Sequence, residues 1–403
     1  MNRLKKWQIG ITLSTSIFYF FYYLGRYNYS ATIPFIKAEF NLSNTMVGLI
    51  ATLLTAGYAI GQFINGFLID RYGPRIMMTL GGILSTIANL GMSMAIGFNG
   101  LLTAWGFNGY FQAMGYGSCC KLYSYWFPPD SRGKPLGFNE FLQSFASTLI
   151  VPFAAMIITI YGWRKVYVFP VIPLIVMSFL FYAFAKNKPL DVNIPEYYGG
   201  GVMPPKDMKT HAITSYKTAL SDWKMIASYI SYGGSQFGRF AIYTWVPAYI
   251  YSITGNIVKA GWVTAMFALG GSFGSLLLGW LSDILKKRYP IITAGMILST
   301  VSLFVFALKP DAPITILSLL MALCGSGIEA VETCYFLLPM DILDEKGMQA
   351  TGVGTMNAFG KTFATFQGVL FGLLLDLFNY RTSFIVTAGI CLLAALLVIP
   401  INK

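Results

Sequence analysis

The chain has 403 residues and a formal net charge of +12, yet it is 56% hydrophobic and only 11% charged. A water-soluble domain carries about 25% charged residues, so this composition excludes an ordinary soluble enzyme and points to a membrane protein. The single histidine, His211, and five cysteines without metal-ligand spacing leave no donor set for a metal or cofactor.

Apolar runs of 18 or more residues recur along the chain, each long enough to cross a bilayer as a helix. None shows the two-residue alternation of a membrane barrel. The first six predicted spans are 8–35, 45–69, 76–97, 100–122, 134–160 and 166–185. A polar stretch at 186–222 contains GGGVMPPKDMK and reads as a linker. Six more spans follow at 223–252, 258–282, 290–308, 313–339, 348–376 and 381–400. This divides the chain into an N-terminal bundle (1–185), a linker (186–222) and a C-terminal bundle (223–403). The first run continues directly into a full span, so no cleavable signal is expected.

With both termini placed in the cytoplasm, 19 of the 28 Lys and Arg residues fall on the cytoplasmic side and 6 on the outer side. The remaining three, Arg26, Arg239 and Lys361, lie inside spans. The positive-inside rule then expects a multi-pass inner-membrane protein in this orientation. The basic charge is a topology signal, and no nucleic-acid partner is expected. No GxxxxGK[ST] loop and no nucleophile–base pair is present, so neither ATP hydrolysis nor another enzyme activity is expected.

The two halves repeat one another. GRYNYSATIP at Gly25–Pro34 matches GRFAIYTWVP at Gly238–Pro247, with an offset of 213 for both the arginine and the proline. GFLIDRYGPR at Gly66–Arg75 matches GWLSDILKKR at Gly279–Arg288, with Gly66 and Asp70 falling on Gly279 and Asp283. ILST follows in each half, at 83–86 and 297–300, with the offset now 214. An internal repeat across a polar linker is the mark of a carrier with alternating access between two bundles.

GFLIDRYGPR resembles the loop signature of the major facilitator superfamily. That resemblance implies an all-α fold of twelve transmembrane helices in two six-helix pseudo-repeat bundles. It also implies a gating role for Asp70, Arg71, Arg75 and Asp283. Three stretches, YYLGRYNYSATIPFI, WGFNGYFQAMG and GRFAIYTWVPAYI, are similar to the organophosphate:phosphate antiporters. In that family the arginines of the first and seventh helices bind substrate phosphate, and they fall on Arg26 and Arg239. Family tyrosines near the site fall on Tyr19, Tyr23 and Tyr58. A family lysine and a family histidine fall on Gln62 and Gln143, so the site is less positive here.

Arg26 lies 20 residues beyond Lys6, about 30 Å along a helix, and Arg239 lies 15 beyond Lys224, about 22 Å. An arginine at mid-bilayer costs about 2.5–3.5 kcal/mol, which marks it as functional. The guanidinium suits two-pronged phosphate recognition in a way that lysine does not. Tyr19, Tyr23 and Arg26 share one helix face. Glu140, Glu329, Glu332 and Lys361 also fall inside spans. Glu329 and Glu332 share a helix face, and Lys361 on the next span is placed to pair with either or to touch substrate. Asn108 and Gln112 serve either as substrate hydrogen-bonders or as glue between helices.

The expectation is a monomeric secondary antiporter that exchanges glycerol 3-phosphate or a sugar phosphate for inorganic phosphate, without a cofactor. The alternative is a proton-coupled symporter of an organic acid or zwitterion using the membrane glutamates. A ligand sensor built on the same scaffold is a further rival.

Overall fold

The computed structural model describes residues 3–128, 131–195, 220–285, 288–342 and 349–402. The sequence positions that bear on function lie among them, except that the side chain of Asp283 lies outside the described residues. The described residues hold fourteen α-helices and no strand. In chain order the first seven are α1 (Arg3–Leu24), α2 (Tyr29–Phe40), α3 (Asn44–Tyr72), α4 (Pro74–Met94), α5 (Phe98–Trp126), α6 (Gly133–Tyr161) and α7 (Val171–Phe184). The linker expected at 186–222 lies mostly outside the described residues, and after it come α8 (Trp223–Thr254), α9 (Ile257–Leu285), α10 (Arg288–Leu308), α11 (Ile314–Ile328), α12 (Glu332–Ile342), α13 (Gln349–Leu377) and α14 (Tyr380–Val398). They form twelve membrane spans, because α1 with α2 and α11 with α12 are each one span broken in the middle.

Helix boundaries follow local chemistry. Gly73 at φ 88° makes the turn into α4, and Pro74 opens that helix, where its missing N–H costs nothing. Asp222 caps α8 by accepting from the Lys224 backbone N–H, and Gly255 at φ 63° ends it in the left-handed region.

The chain divides into two compact units, residues 1–36 with 53–203, and residues 37–52 with 204–403. In the first unit α1 packs on α6 and α7, and α4 packs on α5 and α7. In the second, α8 packs on α13 and α14, and α10 packs on α11 and α14. These four pairings correspond span for span between the units.

Glycines make this repeat visible at atomic scale. A Cβ at Gly57 would meet the carbonyl oxygen of Gly106 at 2.3 Å, and one at Gly109 would meet that of Leu54 at 2.0 Å. In the second unit, Gly270 faces the carbonyl of Ala322 at 1.9 Å, and Gly325 faces that of Phe267 at 1.9 Å. Leu54 and Gly57 correspond to Phe267 and Gly270 at the offset of 213. Gly106 and Gly109 correspond to Ala322 and Gly325 at an offset of 216. Only a residue without a side chain lets the helix backbones approach this closely.

The second unit also takes in the first turns of α3. The Asp376 carboxylate on α13 accepts from the backbone N–H of Asn44 and Thr45 at 2.9 and 2.7 Å, and from their side chains at 2.8 and 2.6 Å. A carboxylate there satisfies helix N–H groups that have no intrahelical partner.

Eight helical stretches are long and apolar enough to cross a bilayer by composition. They cover the second, third, fifth, sixth, eighth, ninth, eleventh and twelfth spans. The first, fourth, seventh and tenth fall short. The first and seventh are repeat equivalents, as are the fourth and tenth, and the four carry Arg26, Arg239, Asn108 with Gln112, and Glu329 with Glu332. Polar helices belong in a bundle interior, away from lipid.

Candidate functional site

The break in the first span sits at Arg26. A straight helix would use the carbonyls of Tyr22 and Gly25 in its own ladder. Here Tyr22 O accepts from Gln112 Nε2 at 3.1 Å as well as from the Gly25 N–H at 3.2 Å, and Gly25 O accepts from Asn89 Nδ2 and Asn108 Nδ2 at 3.1 and 2.9 Å. Ser85 Oγ ties these amides together, donating to Asn108 Oδ1 at 2.6 Å and accepting from Gln112 Nε2 at 2.8 Å. Backbone freed from a helix inside a membrane must find partners in this way. Asn108 and Gln112 are therefore glue between α1 and its neighbours.

Gln112 also aims the arginine. Its Oε1 accepts from Arg26 Nε at 3.1 Å. The guanidinium carbon lies 4.5 Å from the Tyr58 ring centroid and 4.9 Å from that of Tyr23. Tyr19, Tyr23, Tyr27 and Tyr58 are its strongest electrostatic neighbours, and they carry no formal charge. Nη2 of Arg26 is buried and has no hydrogen-bond partner. Tyr19 and Tyr23 pack ring to ring at 5.4 Å, as their shared face predicts. Gln143 on α6 is 5% exposed, and its Nε2 also has no partner. Gln62 is half-buried on α3, and Glu140 is exposed on α6, near enough to Tyr23 and Tyr116 to interact electrostatically.

The second unit surrounds Arg239 differently. Arg239 Nη1 donates to Glu332 Oε2 at 2.5 Å, and Nε lies 3.2 Å from Glu329 Oε1 in an ion pair. Glu332 Oε1 accepts from Tyr232 OH at 2.9 Å and from Gln236 Nε2 at 3.2 Å. Glu329 Oε1 accepts from Tyr243 OH at 2.8 Å. The tenth span breaks between Glu329 and Glu332, and Glu332 opens α12, where an acidic group suits the helix N-terminus. The sequence left Lys361 on the adjacent span free to pair with either glutamate or to touch substrate. Both glutamates form ion pairs with Arg239, Lys361 also acts electrostatically on Glu332, and its Nζ lies 5.2 Å from the Phe240 ring centroid.

Position by position, Tyr19, Tyr23 and Arg26 become Tyr232, Gln236 and Arg239 at the offset of 213. Tyr58 becomes Gly271 at the same offset. At the offset of 216, Ala113 and Tyr116 become Glu329 and Glu332. A Cβ at Gly271 would lie 1.9 Å from Glu329 Oε2, so the glycine leaves the space that this carboxylate fills. One half places a tyrosine ring beside its arginine, and the other places a carboxylate there.

The loop residues Asp70, Arg71 and Arg75 are all held within the first unit. Asp70 pairs with Lys121 at 2.7 Å, and Arg71 lies 5.4 Å from the Tyr72 ring. Arg75 Nε donates to Tyr182 O at 2.7 Å while its guanidinium stacks on that ring at 4.2 Å.

The sequence model of the Major Facilitator Superfamily matches residues 15–365 and 229–403. The chain is 25% identical to a glycerol-3-phosphate transporter of Bacillus subtilis over 97% of this chain and 91% of that protein. It is 23% identical to a hexuronate transporter of the same organism over 94% and 90%. Among solved structures, a bacterial homolog of the human lysosomal transporter Spinster superposes with a TM-score of 0.84 at 15% identity, covering 98% of this chain and 97% of that one.

Proposed function

This chain belongs to the Major Facilitator Superfamily and is a multi-pass membrane transporter; we propose that it exchanges a small organophosphate for inorganic phosphate by alternating access. Arg26 is the principal ligand of the phosphoryl group. The observation that carries this reading is a buried guanidinium with a partnerless Nη2 and tyrosine rings beside it, with no carboxylate in an ion pair to it among the described residues. A buried cation without an anion is costly unless a ligand supplies one. Gln143 Nε2 is a second donor without a partner in the same unit. The likeness to a glycerol-3-phosphate transporter supports the same anion.

Arg239 enters as a conditional partner. Its two carboxylates have to loosen before it can bind an anion. The opposing gradient of inorganic phosphate drives the cycle, with no cofactor. The protein acts as a monomer in an inner membrane, with both termini cytoplasmic, as its charge asymmetry supports. Asp70, Arg71, Arg75 and Asp283 serve gating at the cytoplasmic end.

The Glu329–Arg239–Glu332 group favours a second reading, proton-coupled uptake of an organic acid, and the likeness to a hexuronate transporter agrees with it. Counterflow in proteoliposomes separates the two. Exchange predicts that uptake requires phosphate or organophosphate inside the vesicle. Uptake driven by a pH gradient into phosphate-free vesicles would sink the exchange reading.

A further inference from the structure

The end of the first unit that carries the N-terminus is a braced basic surface, 20 residues along the chain from Arg26 at Lys6. The chain does not leave the bundle where α7 ends. Lys186 O accepts from Trp126 Nε1, Asn187 Oδ1 from the Arg75 backbone N–H, and Val192 O from Arg3 Nη2, each at 3.0 Å. Asp191 closes the turn by accepting from the Lys188 backbone N–H at 3.1 Å. The turn is thereby tied to α1, α4 and α5, and it holds Lys186 and Lys188 at the same end of the unit as Arg3, Lys5 and Lys6. Among the described residues of that end the carboxylates are Asp191 and Asp70, and Asp70 is paired with Lys121.

An apolar stripe starts directly beyond these cations. Lys6, Ile9, Leu13 and Ile17 fall at i, i+3, i+7 and i+11, one face of α1. The three apolar residues are 44, 43 and 39% exposed. Aromatic contacts brace α1 at both ends of the stripe. A Cβ at Gly10 would lie 2.8 Å from the Phe184 ring of α7, and Trp7 stacks on that ring at 5.3 Å. Phe20 meets Phe145 of α6 at 6.3 Å. From Lys6 to Ile17 is about 16 Å along the helix, close to the roughly 15 Å depth of hydrocarbon in one leaflet.

We propose that this surface binds an anionic glycerophospholipid, with its phosphodiester among Arg3, Lys6 and Lys186 and an acyl chain along Ile9, Leu13 and Ile17. A charged headgroup and a chain of leaflet depth match the two features together, whereas an acidic protein segment would leave the stripe uncovered. Topology alone asks for positive charge at a cytoplasmic end. It does not ask for those charges to be pinned by a folded turn or to head an apolar stripe. The surface lies wholly in the first unit and is independent of which anion the protein carries.

The test is thermal unfolding of the delipidated full-length protein in neutral detergent, titrated with phosphatidylglycerol and with phosphatidylcholine of the same acyl chains. Phosphatidylglycerol should bind about twentyfold tighter, and Lys6→Gln with Lys186→Gln should narrow the ratio to about twofold, since each basic residue at an anionic surface is worth roughly fivefold. Lys259→Gln with Lys309→Gln should leave it unchanged. Equal binding of the two lipids overturns the proposal, and so does a ratio that both double variants reduce alike, the mark of a diffuse field. Quenching by lipids brominated high on the acyl chain covers a lysine variant that assembles poorly. The signal from Trp7, taken as the difference from Trp7→Phe, should be quenched more by the phosphatidylglycerol than by the phosphatidylcholine, and equal quenching overturns the proposal.

Discussion

In the first half, the guanidinium of Arg26 meets the rings of Tyr58 and Tyr23 at 4.5 and 4.9 Å and leaves one nitrogen without a partner. In the second half, at the equivalent position, Arg239 sits in ion pairs with Glu332 and Glu329 at 2.5 and 3.2 Å. The backbones around them match, down to the glycines that let the helices touch. The difference comes from a few side chains: Tyr58 against Gly271, Ala113 against Glu329, and Tyr116 against Glu332. A duplicated scaffold keeps its packing under shared steric constraint, while the charge beside each arginine is free to diverge. The first half thereby keeps a cation ready for a ligand, and the second supplies its own anions.

The largest expected effect is on Arg26. Arg26→Lys keeps the charge and loses the planar two-pronged donor, and phosphate exchange in proteoliposomes should fall about a hundredfold. Near-normal exchange in that variant would break the comparison at its first term. The next test moves the second half's chemistry into the first. Tyr58→Gly combined with Ala113→Glu places a carboxylate beside Arg26, and competition assays should show anion affinity reduced roughly tenfold, because the tethered carboxylate takes the ligand's place.

The shared packing gives a smaller, symmetric prediction. Gly109→Ala and Gly325→Ala each push a methyl into a facing carbonyl, and each should cost about 1–3 kcal/mol by thermal unfolding in detergent. Similar losses support equivalent helix crossings, and a loss in one variant alone contradicts them. The smallest effect is at Asp70, whose side chain is 64% exposed in its pair with Lys121. Lys121→Met should change stability by under about 1 kcal/mol, and less at high salt.

Much of the comparison was legible in the sequence. The offset of 213 identified Arg26 and Arg239 as equivalents, and the i, i+4 spacing of Tyr19 and Tyr23 placed both on the arginine's face. Eight of the twelve spans stand out by apolar run length, while the first, fourth, seventh and tenth are shorter or less apolar. The break at Arg26 was not legible, because no proline marks it. It depends on Asn89, Asn108 and Gln112, which reach in from other helices, and spacing along one helix carries no record of them. The ion pairs of the two glutamates with Arg239 on α8 were not legible either, because they depend on tertiary packing between spans that do not adjoin in sequence. The match between the fourth and tenth spans was hidden by the drift of the offset to 216, since scattered glycines give no run of identities to align.

The account turns on the opposite electrostatic state of two equivalent arginines, and ligand-free thermal unfolding of Arg26→Met and Arg239→Met reads it most directly. Arg26→Met removes a buried charge that pairs with no carboxylate among the described residues, so stability should hold or rise, while the added stability conferred by phosphate disappears. Arg239→Met strands two carboxylates and should lower stability by about 3 kcal/mol. Equal losses in the two variants, or a large loss in Arg26→Met with none in Arg239→Met, would contradict the account.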